Sequence, residues 1–243
     1  MRLALLHAKW GVLELLRQPA FAVPTIGFPS LFFLFFAVPG FAADEPELAT
    51  ALFAGFAVLG VAFFQFGVGI ASDRASPWER YLRTLPVGPA SRFAGRTLAA
   101  LVFAAAASTA VIAVALATVS PQLSFAAWVE LSLALLAGAI PFALIGIALG
   151  YLGTPRSALP IANVVYLGLS FAGGLWTAPH NLPTAVERIS VFLPTRAYAD
   201  LLAAAALELA VPARAWLVLG LYTAAAAWLA AWAYRRDEGQ QYR

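Results

Sequence analysis

The sequence predicts an all-α integral membrane protein with six transmembrane helices. Hydrophobic residues make up 62% of the 243 positions and charged residues only 11%, whereas about a quarter of an ordinary soluble domain is charged. Several apolar runs reach the ~20 residues that a membrane-spanning helix needs. The charged residues gather between those runs. We therefore expect residues 1–243 to form one membrane domain.

The six predicted spans are apolar stretches separated by polar or proline-containing connections. They cover residues 19–40, 48–71, 97–119, 125–150, 158–177 and 214–234. Prolines lie inside the first and fourth spans, at Pro24, Pro29 and Pro141. Proline removes a backbone donor and kinks a helix, which membrane helices tolerate when neighbouring groups satisfy the freed carbonyl oxygens.

Residues 1–18 predict an amphipathic helix that is too charged to span the bilayer. Leu3, Leu6, Trp10 and Leu13 recur at three- and four-residue steps, which places them on one face. A basic amphipathic helix with a Trp suits the cytoplasmic surface of a membrane. Packing of the helix on the protein's own cytoplasmic face explains the pattern equally well, and the two arrangements are compatible.

Residues 178–213 are too polar for a plain span and predict an extracytoplasmic helical segment. Four prolines divide it into two short amphipathic pieces, at Pro179, Pro183, Pro194 and Pro212. Such pieces fit a segment that lies at the outer interface or re-enters the bilayer. Non-spanning structure at membrane depth must be covered by protein or face a water-filled cavity.

The polar loop at residues 73–96 fixes the predicted orientation. It carries five arginines against one Asp and one Glu, and basic loops face the cytoplasm. With both termini on the same side, twelve of the 15 basic residues lie inside and three lie outside. The Ala-rich spans and the preference for Arg over Lys indicate a GC-rich bacterial genome. The expected location is therefore the bacterial cytoplasmic membrane.

Gln65 lies at the centre of the second span, where an amide is costly unless it is paired, so we expect it to face the protein interior. It either forms a hydrogen bond between helices or lines a substrate pathway. In the fifth span, Asn163 and Tyr166 are three residues apart and share a helix face. The predicted pathway set is Phe63, Phe64, Gln65, Phe66, Asn163 and Tyr166.

The sequence lacks the motifs of the common enzyme classes. It contains no cysteine, which excludes disulfides and thiolate chemistry. Lys9 is the only lysine and lies in the N-terminal helix, so the chain cannot carry a standard nucleotide-binding P-loop. We find no zinc-site spacing and no nucleophile-and-base arrangement. The basic residues lie at membrane boundaries, so we expect no enzyme active site, no bound cofactor or metal and no nucleic-acid partner.

Four features occur in order along the chain. An amphipathic helix is followed by LLRQPAF and a proline-containing span. The basic loop then reads WERYLRTLPVGPASRFAGRTL, with Glu-Arg, Thr-Leu, Pro and a basic anchor. The layout has six spans with both ends inside, and the outer break ISVFLPTRAYADLL precedes the last span. Together these features resemble the permease subunit of an ABC transporter of the ABC-2 (type V, exporter-like) class.

The resemblance implies a separate ATPase subunit on the cytoplasmic face, which would bind ATP and Mg²⁺. Residues 76–84 would form the coupling helix that docks on it, flanked by the N-terminal helix. The residues implied at this interface are Arg74, Ser76, Pro77, Trp78, Glu79, Arg80, Tyr81 and Arg83.

The resemblance also implies a pair of permeases, two copies or two paralogues, surrounded by membrane lipid, with a pathway between spans two and five. The candidate lining is aromatic with few polar groups. The expected substrate is therefore an exported hydrophobic or amphipathic compound, such as a drug or a lipid.

Other functions stay open. An ion-coupled secondary transporter needs buried carboxylates or broken helices at mid-membrane. Glu130 lies one turn into the fourth span, a position that favours snorkelling to the outer surface. A non-transporting scaffold or assembly factor fits the same loop. A membrane-embedded enzyme needs a polar cluster that the spans lack. Binding of an ATPase partner would distinguish an ABC transporter permease from all three of these alternatives.

Overall fold

The structure is a computed structural model that describes residues 2–77 and 89–241. Within these residues every regular element is helical, which confirms the predicted all-α class. The α-helices are α1 (Arg2–Leu16), α2 (Pro19–Phe32), α3 (Pro46–Val61), α4 (Gly69–Ala75), α5 (Pro89–Thr118), α6 (Phe125–Leu152), α7 (Pro155–Ala172), α8 (Thr184–Ser190), α9 (Pro194–Ala206) and α10 (Ala213–Gln241). One π-helical segment, Phe33–Ala37, continues α2, and another, Ala62–Val68, joins α3 to α4. A 3₁₀ turn covers Pro179–Asn181.

Four helices in the described part of the chain are long and apolar enough to cross a membrane. They are Pro46–Ala75, Phe93–Thr118, Phe125–Leu152 and Ala213–Glu238. A fifth is added if α1 and α2 with its π-helical extension, which meet at 76°, count as one broken span. By length and composition the protein is therefore a multi-pass membrane protein.

The helix α7 lies over the predicted fifth span but is not among these four. It has 18 residues, and its polar residues include Arg156 and Asn163. At ~1.5 Å per residue it is about 27 Å long, slightly less than the ~30 Å hydrocarbon core of a bilayer. The six-span count is not confirmed by these helices and stays a prediction.

The continuous helix from Pro46 to Ala75 forms the centre of the bundle, and 89% of its apolar window is buried. Helices α5, α6 and α9 pack around α3, and α6 and α7 pack around the π-helical segment Ala62–Val68. In contrast, only 22% of the corresponding window of Ala213–Glu238 is buried. Its exposed Trp228 and Leu221 suit contact with lipid. The central helix is therefore the element on which movements of its neighbours converge.

The backbone of α6 lies directly against the backbone of the π-helical segment. Gly146 and Gly150 are one turn apart on α6, and a Cβ atom on them would lie 2.7 Å from the carbonyl oxygen of Ala62 and 2.6 Å from that of Phe66. Small residues four positions apart allow such close approach between membrane helices. Neither glycine can accept a side chain without a shift of backbone.

The helix α9 lies among α3, α6 and α10, and most of its residues are buried. The Tyr198 hydroxyl donates a hydrogen bond of 3.4 Å to the carbonyl oxygen of Leu135, which is ~15 Å along α6 from Phe125 at 1.5 Å per residue. Just beyond the other end of α9, the Ser124 hydroxyl pairs with the Glu208 carboxylate. The helix therefore runs from the interior of α6 to its N-terminal end and is largely buried by its neighbours. Its position at membrane depth stays a prediction.

Candidate functional site

The predicted coupling segment is only partly within the described residues. Of the eight residues implied at the ATPase interface, five lie outside the described part of the chain: Trp78, Glu79, Arg80, Tyr81 and Arg83. Their contacts with an ATPase stay predictions. Ser76 follows α4 with an extended backbone, at φ −73° and ψ 136°, as expected for the residue before a proline. The helix α4 therefore ends before Ser76, and Pro77 is exposed.

Arg74 lies on α4, two residues before the coupling segment at 76–84, and connects α4 to the ends of two other helices. Its Nε donates to Asp237 Oδ1 on α10 at 3.0 Å, and Nη2 contacts the same carboxylate oxygen. Its Nη1 donates to the carbonyl oxygens of Gly150 at 2.9 Å and Gly153 at 3.2 Å. The last carbonyl groups of a helix lack partners within it and attract a cation. The Arg74 guanidinium is therefore used within the chain, and its predicted contact with an ATPase stays a prediction.

Arg96, after the segment, anchors α5 to the central helix. Its Nη2 pairs with the Asp73 carboxylate, and its Nη1 donates to the carbonyl oxygen of Gln65 at 2.9 Å. Gln65 lies in the π-helical segment Ala62–Val68, where the ladder of backbone hydrogen bonds changes register. Arg74 and Arg96 therefore anchor α4 and α5, the described helices on either side of residues 78–88, and Arg96 does so at the π-helical turn.

Gln65 also reaches the protein interior through its side chain. The residue is 4% exposed, and its Nε2 is buried without a hydrogen-bond partner. Nearby, the Tyr166 ring of α7 stacks on the Phe56 ring with centroids 4.7 Å apart and planes at 6°. The Tyr166 hydroxyl donates to the carbonyl oxygen of Phe56 at 3.2 Å. The Phe64 ring meets Tyr166 edge-on at 5.6 Å, so the structure brings Phe64 and Tyr166 together.

The remaining members of the predicted pathway set point elsewhere. Asn163 is half-buried, and its Nδ2 donates to the carbonyl oxygen of Leu159 on its own helix at 3.1 Å. Phe66 packs against α6, because a Cβ atom placed on Gly146 would lie 3.2 Å from the Cβ of Phe66. Phe63 is fully buried. The set therefore divides between the α6 side and the α7 side of the central helix, and its role in a pathway stays a prediction.

Three residues of this region were not singled out from the sequence. Asp237 is the buried partner of Arg74, and its only sequence signal is an acidic residue directly after two arginines at the end of the last span. Phe56 carries the stack with Tyr166. Trp176 lies at the centre of an aromatic cluster, with ring contacts to Phe32, Phe36, Phe56 and Phe171. In two phenylalanine-rich spans, the sequence does not distinguish rings that form such contacts from rings that face lipid.

Comparison with known proteins decides the family. A family model described as ABC-2 type transporter matches residues 5–207. The chain belongs to the ABC-2 type transporter family. It is also similar to the Bacillus subtilis (strain 168) protein named "Putative transport permease YvfS", with 24% identity over 188 residues that cover 75% of this chain and 76% of that protein. No solved structure matches the chain.

Family membership confirms the resemblance found in the sequence and makes the chain a transporter permease. Permeases of this family generally work with an ABC ATPase subunit. Within residues 2–77 and 89–241 of this ABC-2 permease, no three His, Asp or Glu side chains gather where they could hold a metal ion.

Proposed function

We propose that this ABC-2 permease is the membrane-spanning subunit of an ATP-driven exporter of hydrophobic or amphipathic compounds. It has six spans with both termini in the cytoplasm of a bacterium, and it pairs with a second copy or a paralogue. A separate ATPase subunit binds ATP and Mg²⁺ and docks on residues 76–84. The chain itself carries out no hydrolysis.

The observation that most supports this proposal is the anchoring of α4 and α5, the described helices on either side of residues 78–88, to the rest of the bundle. Arg74 joins α4 to α6 and α10, and Arg96 joins α5 to the Gln65 backbone. A displacement of the loop by an ATPase therefore acts on the central helix and on the ends of two neighbours together.

Transport also requires that the ATPase bind two permease states with different free energies, because a dock with equal affinity for both states shifts nothing. We propose that the π-helical segment Ala62–Val68 is this two-state element and that its second arrangement is an ordinary α register. Arg96 contacts the segment at Gln65. A pull on Arg96 favours one register over the other, and a register change rotates the side chains that follow.

The aromatic cluster around Trp176 supports a hydrophobic or amphipathic substrate. It extends from the buried Tyr166 and Phe56 stack to Phe36 and Phe171, which are 51% and 39% exposed. Aromatic rings offer large apolar contact areas, and binding sites for apolar molecules combine such rings with few polar groups.

The test is co-purification of the full-length permease with the ABC ATPase encoded beside its gene. We expect wild type to retain the ATPase in nanodiscs and to stimulate ATP hydrolysis. The variant Glu79→Ala/Arg80→Ala should lose the ATPase or leave hydrolysis unstimulated. A matched control, Glu187→Ala/Arg188→Ala, removes the same two charges from exposed α8 at the proposed outer end and should behave as wild type.

A monodisperse wild-type permease that retains no ATPase contradicts the proposal. So does a Glu187→Ala/Arg188→Ala variant that loses the ATPase while Glu79→Ala/Arg80→Ala keeps it, because docking would then lie at the opposite end of the bundle. In either case export driven by a proton gradient would be measured next, with Glu130→Gln as the variant.

A further inference from the structure

An apolar groove of about 590 Å³ lies between α1 and α5. On the α5 side it is lined by one helical stripe with steps of three, one and three residues. This stripe consists of Leu98, Leu101, Val102 and Ala105. It covers ~10 Å along the helix axis, so the groove runs from the end of α5 near Arg96 toward the middle of the predicted span.

The helices α1 and α5 are in close contact at one end of this groove. A Cβ atom on Gly95 would lie 2.4 Å from the Cβ of His7 and 3.1 Å from the carbonyl oxygen of Ala4. Only a glycine fits there, so α1 is fixed against α5 beside Arg96. Farther along α5, Leu101 and Val102 are 40% and 51% exposed. Part of the apolar lining of the groove is therefore open to the surroundings of the protein.

Among the described residues, Lys9 is the only charged one that lines the groove. Its side chain is exposed, and it forms no ion pair with another described residue. Its Nζ lies 5.8 Å from the centre of the Trp10 ring. The rest of the lining is apolar. The groove is thus complementary to a molecule with one negative charge at the polar end and a hydrocarbon chain.

We propose that this groove binds an acidic phospholipid of the bilayer, with the lipid phosphate on Lys9 and one acyl chain along Leu98, Leu101, Val102 and Ala105. The volume is within the range of small-molecule pockets. The inference rests on the proposed function for its orientation, which places this end of the bundle at the cytoplasmic leaflet, where acidic lipids attract basic residues. The bound lipid holds α1 against α5 next to the anchor of the coupling segment.

The test is native mass spectrometry of the full-length permease titrated with phosphatidylglycerol or phosphatidylcholine of identical acyl chains. We expect wild type to bind phosphatidylglycerol about fivefold more tightly, the factor that corresponds to ~1 kcal/mol for one Lys near the surface. Lys9→Gln should abolish this preference, and Lys9→Arg should retain it. Arg156→Gln removes an exposed cation of α7 that lies outside the groove and should leave the preference unchanged.

A second variant tests the acyl-chain site separately from the charge. Ala105→Trp places a large ring in the groove and should weaken binding of both lipids. The proposal is overturned if wild type binds the two lipids equally, if Lys9→Gln keeps the preference, or if Ala105→Trp binds both lipids as wild type does. Co-purification of the ATPase, measured on the same samples, reports on the proposed function independently of the lipid result.

Discussion

Arg96 Nη1 donates a hydrogen bond of 2.9 Å to the carbonyl oxygen of Gln65, 31 residues earlier in the chain. The same Gln65 carries a buried side-chain amide whose nitrogen lacks a partner. One residue therefore contacts the flank of the coupling segment through its backbone and the protein interior through its side chain. A change at Arg96 should consequently be detectable at the π-helical segment.

We predict that Arg96→Ala loosens the π-helical segment Ala62–Val68. The substitution removes the hydrogen bond to Gln65 and the ion pair with Asp73, and loss of bonds to a charged group of this kind costs about 1.5–3 kcal/mol when they are well shielded. Because the Arg96 and Asp73 side chains are 24% and 51% exposed, we expect the lower part of that range. Hydrogen–deuterium exchange should be faster in 62–68, whereas Arg156→Ala should not change it.

For Gln65 we expect stability and activity to respond in opposite directions. Gln65→Leu replaces the amide, whose nitrogen has no hydrogen-bond partner among the described residues, with an apolar side chain of similar size. The unfolding temperature should therefore be unchanged or higher. If Gln65 lines the pathway, ATPase stimulation by substrate should fall all the same. Thermal unfolding in detergent and hydrolysis in nanodiscs measure the two effects. Lower thermal stability with full activity would show that Gln65 is a structural residue alone.

Arg74 and Asp237 form a pair that should be tested as a double-mutant cycle. The Asp237 side chain is 4% exposed and that of Arg74 is 21% exposed. Removal of one partner from a buried pair leaves an uncompensated charge, which is strongly destabilising. We expect Asp237→Ala to lower the free energy of unfolding by about 2–4 kcal/mol, and the double variant with Arg74→Ala to lose less than the sum of the two single variants.

Arg235→Ala is the matched control for this cycle, because Arg235 is exposed and lies two residues before Asp237. It should change stability by no more than ~0.5 kcal/mol. Strict additivity of Arg74→Ala and Asp237→Ala would contradict the coupling expected for two residues in contact.

Gly138 should not tolerate a methyl group. A Cβ atom at this position would lie 2.1 Å from Cδ2 and Cε2 of the Tyr198 ring, so Gly138→Ala forces α9 away from α6 and should cost about 1–3 kcal/mol. Gly220→Ala is the control, since nothing lies within 4 Å of its added Cβ. That change should be neutral or stabilising by up to ~1 kcal/mol through helix propensity.

Thermal unfolding of the two alanine variants checks this prediction. Restoration of stability in Gly138→Ala by Tyr198→Leu would identify the ring as the obstacle. Equal unfolding temperatures for Gly138→Ala and Gly220→Ala would contradict the observed packing of α9.

The helical class of the protein follows from its sequence because apolar runs that are long enough to span a bilayer predict transmembrane helices. A helix lies over each of the six predicted spans, including α5 over residues 97–119 and α10 over residues 214–234. The number of crossings is harder to predict. For α7, Pro160, Arg156 and Asn163 lower the hydropathy of a short helix, and the helix packs mainly against the π-helical segment Ala62–Val68.

The contacts of the candidate site were less accessible from the sequence. Arg74 and Asp237 are 163 positions apart, and neither hydropathy nor periodicity relates two polar residues at the ends of different helices. The π register of Ala62–Val68 has no composition signal either, and neither does its close contact with Gly146 and Gly150 of α6. Gln65 was identified because a lone amide in an apolar run stands out, whereas Phe56 did not stand out among many phenylalanines.

The glycine contact between α6 and the π-helical segment has a mechanical consequence. Where long side chains separate two helices, small shifts are absorbed by rotamer changes at little cost. At Gly146 and Gly150 the carbonyl oxygens of Ala62 and Phe66 lie where a side chain would be, so the described residues place no side chains between the two backbones there. A change of register in the π-helical segment therefore cannot be absorbed by rotamer changes at this contact and displaces the backbone of α6 directly.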